Sequence, residues 1–132
     1  MHSLAIADIA VLGKEIDYLE FDSFIDKDSR ARAADIGATL IVKGRVSLDA
    51  DNADVLAALK EIAAWSLTKP SDENTYKSVT ATFGHAGGTR NYEISKAFVI
   101  SFKEWLENEE GRFELVLRQK KDYVDADNIT IS

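Results

Sequence analysis

A chain of 132 residues with 45% hydrophobic content fits one domain, residues 1–132, with enough apolar material to bury a core. The 16 Lys and Arg against 23 Asp and Glu give a formal net charge of -7, which argues against general affinity for nucleic acid or an anionic membrane surface. Cysteine is absent, which excludes disulfides and thiolate metal sites, and no apolar run approaches the roughly 18 residues of a membrane span.

The opening stretch MHSLAIADIAVLGKEI has no basic region ahead of its apolar residues and carries Asp8 in its middle, so it makes a poor signal peptide, and cytoplasmic synthesis is expected. Leu4 to Leu12 and Lys14 to Ile25 both have strand character, and Gly13-Lys14 between them predicts a hairpin. Apolar parity shifts inside the second arm, from Ile16 and Tyr18 to Leu19, Phe21 and Ile25, which predicts a bulge or bend. Asp26 to Gly37, DKDSRARAADIG, is densely charged, contains one apolar side chain larger than alanine and lacks a period of two; it reads as an exposed loop.

Alternation returns over Ala38 to Leu48, with Leu40, Val42, Val46 and Leu48 on one side, weakened at Gly44. Over Asp51 to Leu67 the period becomes helical: Leu56, Leu59, Ile62 and Ala63 form a stripe widened by Val55 and Ala58, with Asp51 as the expected N-cap and Asp54 in the first turn. A loop over Lys69 to Lys77 holds the only proline, Ser78 to Phe83 reads as a further strand, and Gly84 to Gly88 as a turn.

The longest pattern follows. From Tyr92 the even positions, Tyr92, Ile94, Lys96, Phe98, Ile100 and Phe102, read as one apolar face interrupted at Lys96, where a bulge is expected. Val99 and Val116 then place apolar groups on otherwise polar faces. An acidic connection, Glu104 to Glu110, and a turn at Gly111 lead to a partner strand with Phe113, Leu115 and Leu117 inward. Asn128 to Ile131 adds a short terminal strand. The fold class expected is mainly β (α+β), a small β-barrel of two antiparallel sheets with one α-helix packed alongside.

Candidate chemistry is sparse. His2 and His85 have no second histidine at ligand spacing, and Asp49 to Asp54 resembles a calcium loop only superficially, since Lys60 stands where the closing glutamate belongs. Glu104, Glu107, Glu109 and Glu110 sit in one charged stretch with only Trp105 and Leu106 to desolvate them, so a solvated face is favoured over acid–base work. Gly84 to Gly88 lacks the residues of a phosphate loop, and Trp65 and Trp105 read as core or interface anchors. No enzyme, metal or cofactor is expected.

The order of pieces, YLEFDSFIDKDSRARAADIGATLIVKGRV, then the helix DVLAALKEIAAW, then NYEISKAFVISFKEWL with its partner GRFELVLRQKKD, resembles the haemolysin-coregulated protein (Hcp) family of type VI secretion tubes and the tail-tube proteins of contractile phage tails and injection particles. The resemblance spans most of the chain. It implies a structural tube protein whose six-membered rings stack into a hollow conduit for effectors, with sheath, spike and effector proteins as partners and export without a signal peptide through the injection machine. It also implies that the loop bearing Asp26, Lys27, Asp28, Arg30, Arg32 and Asp35 projects from one ring toward the next. The departure of RARAADIG from the Gly-Arg-Pro style of loop found in some members bears on stacking. Two other classes remain beside it: a small β-barrel module binding a ligand or a protein, and a hydrolase whose carboxylates converge only in the folded chain.

Overall fold

The computed structural model describes residues 1–25, 36–46, 52–120 and 129–132. Eight strands, β1 (Ser3–Ile6), β2 (Ala10–Leu12), β3 (Ile16–Ile25), β4 (Ile36–Val46), β5 (Lys77–His85), β6 (Gly88–Glu107), β7 (Glu110–Gln119) and β8 (Ile129–Ile131), are joined by one α-helix, α1 (Ala53–Ser66). The expected mainly β fold with a single helix is therefore what the chain adopts among its described residues. All the strands belong to one antiparallel sheet rather than two, in the order β2-β1-β5-β6-β7-β4-β3, with β8 on β6. No pairing between β2 and β3 closes the path among the described residues, so the sheet is open. It curls until Phe21 of β3 stacks on Tyr92 of β6, with ring centroids 4.2 Å apart.

One continuous core fills the concave side. Leu4, Ile6 and Leu12 from the first two strands meet Leu40 and Val42 of β4, Val79 and Ala81 of β5, and Phe113, Leu115 and Leu117 of β7. α1 closes the open side with Ala58, Leu59, Ile62 and Trp65, a stripe at helical spacing, and each fully buried Leu or Ile there contributes about 1.5–3 kcal/mol. The Trp65 indole N–H donates 2.8 Å to the Thr75 carbonyl, and the Thr75 hydroxyl donates 3.1 Å to the Lys69 carbonyl. These two bonds pin the link between helix and sheet, since either group would be costly to bury unpaired. Asn52 takes the N-cap position expected of Asp51, which lies outside the described residues; Asp54 is in the first turn as expected.

Three expectations are corrected. Leu4 to Leu12 does not pair with Lys14 to Ile25: it folds on itself, β1 against β2, around Ala7 to Ile9, with Ala7 at φ 44° and the Ile9 N–H donating to the Ile6 carbonyl. β3 departs after a Gly13-centred turn to pair with β4 instead. The even-numbered face of β6 is not continuous, because β6 holds two bulges. At the first, Lys96 adopts φ 55° and the register against β5 shifts between Lys77 and Val79; at the second, the register against β7 shifts between Val99 and Ser101, leaving Ile100 as the extra residue. Each bulge reverses which parity points inward. The inward set is therefore Tyr92, Ile94, Ala97, Val99 and Phe102, and Phe98 is turned out to an edge-to-face contact with Tyr76.

The acidic connection is also not a loop. β6 and β7 stay paired from Ala97↔Gln119 to Glu107↔Glu110, and the turn is the two residues Asn108 and Glu109, both at positive φ (53° and 64°) as a two-residue primed hairpin turn requires. Gly111 is buried within β7 opposite Leu106 and Val46, so it is a strand residue.

Candidate assembly surfaces

The bulge at Lys96 has a topological effect. β5 follows β6 as far as Lys77↔Ala97 and stops, so from Phe98 to Glu107 β6 has, among the described residues, a strand partner on one side only, β7. At the other end of this run, β3 pairs with β4 and with no other strand among the described residues. Among the described residues the run β6-β7-β4-β3 thus ends in two strand edges of about equal length. Every residue from Lys103 to Glu109 is exposed, including Trp105 at 42% and Leu106 at 66%. Ile100, at the bulge, is 49% exposed.

The convex face of the same run is polar in rows. Tyr18, Lys43, Glu114 and Lys103 lie side by side across β3, β4, β7 and β6; the neighbouring row has Ile41 against Val116, both half-buried. Arg45 lies 3.6 Å from Asp17 and 3.8 Å from Glu110, and Glu110 lies 3.5 Å from Arg112. These pairs are partly exposed and stabilise by less than about 1 kcal/mol each, but they fix the arrangement of charge on the face. Tyr18 donates to the Glu20 carboxylate at 2.7 Å, and that bond to a neighbouring anion raises the phenol above the ordinary tyrosine value.

A second surface lies at the far end of β6. Leu19 and Phe21 of β3, Phe83 of β5 and Tyr92 of β6 line an open groove of about 490 Å³ bordered by Glu20, His85 and Arg90. Phe83 meets Tyr92 edge-to-face at 5.5 Å, and His2 meets Phe83 at 5.9 Å. No pattern within one segment could have indicated this groove, since its floor comes from residues 21, 83 and 92.

The loop residues singled out in the sequence, Asp26, Lys27, Asp28, Arg30, Arg32 and Asp35, lie outside the described residues; β3 and β4 remain paired up to Ile25↔Ile36, the two ends the loop joins. Both histidines accept a backbone N–H through Nδ1, His2 from Gly84 and His85 from Gly87, each at 3.2 Å. Among the described residues no group of three His, Asp or Glu side chains is placed to hold a metal ion. The glutamates at 104, 107, 109 and 110 are spread along the two arms and turn of the hairpin rather than converging on a cleft. No protein-family profile matches the chain, and no curated protein matches it.

Proposed function

We propose that this chain is a structural protein that assembles side by side into closed rings, six-membered by its resemblance to the Hcp and tail-tube proteins, and that the rings stack into the tube of a type VI secretion or related contractile injection system, carrying effectors in its lumen. The observation that supports this reading is the pair of strand edges, β3 and Phe98–Glu107 of β6, that have no second strand partner among the described residues, at opposite ends of one four-stranded run. Unlike edges that pair between copies form a head-to-tail contact, which closes into a ring when the rotation per subunit permits. Sheath, spike and effector proteins are the partners implied, and the Asp26–Asp35 charges remain the candidate stacking contact. A ligand-binding barrel would need an apolar interior left empty; here Ala38, Leu40, Val79, Ile94, Ala97 and Leu117 pack closely against one another.

Light scattering coupled to gel filtration is the test. The expected mass is a sixfold multiple of the 14.6 kDa protomer, with annular particles in negative stain. A protomer-sized species at all concentrations up to the millimolar range refutes ring formation.

A further inference from the structure

We propose that His2 and His85 form an acid-sensitive latch that ties the start of β1 to the β5–β6 turn, closed while both rings are neutral and released when they take up protons. The latch does not depend on assembly. Each ring accepts a backbone N–H through Nδ1, His2 from Gly84 and His85 from Gly87, both at 3.2 Å. The β1–β5 ladder runs only to Ser3↔Thr82, and two residues further along β5 the Gly84 N–H donates to His2, so the ring adds one bond where the ladder has ended. The His85 bond lies inside the turn itself, whose flanking pair is His85↔Gly88.

Protonation turns each acceptor into a donor. A neutral imidazole has one nitrogen that accepts and one that donates, whereas both donate in the cation. An Nδ1–H then faces the N–H of Gly84 or Gly87, and two opposed donors replace each bond. Imidazole takes up its proton at about pH 6.5 in ordinary surroundings, so the latch is closed above that range and opens below it. Neither histidine forms an ion pair among the described residues, so no carboxylate holds the cation in place. The charged groups around the two rings are the amine of Met1, whose backbone lies against Gly84, Arg90 of β6, paired with Phe83, and Glu20 of β3, which lines the same groove as His85 and already accepts the Tyr18 hydroxyl. Two of these three are cations, which oppose a further positive charge.

The latch stands at one wall of the aromatic groove. His2 meets Phe83 edge-to-face at 5.9 Å, Phe83 meets Tyr92 at 5.5 Å, and His85 and Arg90 border the opening. Losing both bonds loosens the wall built from His2 and the end of β5. The β5–β6 pairs from Val79↔Ile94 to Phe83↔Arg90 are backbone to backbone and do not titrate, so the response is a local opening rather than unfolding.

The test is amide hydrogen exchange of the full-length protein by nuclear magnetic resonance between pH 8 and pH 5.5, with each rate corrected for the intrinsic pH dependence of exchange. Protection of the Gly84 and Gly87 amides should fall by roughly 2- to 10-fold on acidification, the effect of losing one net hydrogen bond, each with the midpoint at which its own histidine ring titrates. The Asn91 amide, bonded backbone to backbone, should keep its protection throughout. His2→Asn and His85→Asn supply an acceptor oxygen that does not titrate. The first should abolish the pH response at Gly84 alone, and the second at Gly87 alone. Corrected protection that stays constant while both rings titrate, or a response at Gly84 and Gly87 that survives in the matching Asn variants, overturns the latch. Should an Asn side chain fail to replace the bond, its amide is unprotected at every pH and the titration of the unsubstituted protein decides alone. Since the readout is local, it holds whether the protein runs as a monomer or as a ring.

Discussion

Deleting either of two residues in β6 shortens the strand by the same amount and removes the same bulge, yet the consequences should differ. Ile100 is the extra residue between Val99↔Leu117 and Ser101↔Val116, so its deletion leaves both flanking registers unchanged and keeps Phe102 inward opposite Leu115. Only half of the Ile100 surface is covered, so at about 1.5–3 kcal/mol for a fully buried isoleucine the loss is near 1 kcal/mol, offset in part by a regular ladder. Deleting Lys103 instead, with the turn holding Glu104↔Phe113, moves Phe102 opposite Glu114 on the convex face and puts the Ser101 hydroxyl opposite Leu115 in the core. Losing the partial burial of a phenylalanine and burying an unpaired hydroxyl together cost about 2–4 kcal/mol. In urea denaturation, with a slope of about 1–3 kcal/mol per molar, the two midpoints should separate by about 1 M. Equal midpoints, or a lower one for the Ile100 deletion, refute the bulge at Ile100.

Lys96→Gly should raise stability by up to about 1 kcal/mol, read as a higher thermal midpoint, because glycine removes the cost of a side chain at φ 55°. Gly44→Ala should lower it by about 1–3 kcal/mol or more, since the added methyl meets the Glu15 carbonyl oxygen and the Phe113 ring, neither of which can withdraw. Trp65→Phe removes the indole bond to Thr75 and should cost about 1–3 kcal/mol, with faster proteolysis of the link between α1 and β5 as a second readout. Ultraviolet titration should find Tyr18 ionising above the ordinary tyrosine range, and Glu20→Gln should bring it back down, because the anionic acceptor is the first cause of the shift.

Most elements were legible because their side chains repeat without interruption. β4, β5, β7 and α1 keep one period from end to end, and even the three-residue β8 falls inside the short terminal strand expected over Asn128 to Ile131. A parity change in β3 was legible too, but the register shift falls between Ile16 and Tyr18 rather than after Tyr18, so Tyr18 is turned outward instead of sharing a face with Ile16. β6 misled where two bulges fell inside one alternating run: the substitution of Ala97 and Val99 for Phe98 and Ile100 on the inner face follows from backbone geometry at Lys96, which the residue types only hint at. The turn at Asn108-Glu109 was missed because neither residue is glycine, and the nearby Gly111 drew the boundary instead. The tip's Trp105 and Leu106 were visible as residues but not as exposed ones. The groove was not legible at all, as Phe21, Phe83 and Tyr92 meet only through long-range curling of the sheet.

The two strand edges left without a second strand among the described residues also differ in a way that bears on which pairs with which. β3 carries Asp17, Glu20 and Asp22 and no basic residue among its ten, so two β3 edges brought together would set acids against acids. Like charges directly opposite in a sheet are destabilising, and this chain already carries a formal net charge of -7. The Phe98–Glu107 stretch of β6 is mixed, with Lys103 among Glu104 and Glu107 and Lys96 just before it, so it can set basic groups beside the acids of β3. A symmetric dimer through β3 is therefore disfavoured relative to a contact between unlike edges. That is the asymmetry a ring needs: a contact between like edges stops at two copies, whereas one between unlike edges leaves a fresh edge exposed after every addition until the circle closes.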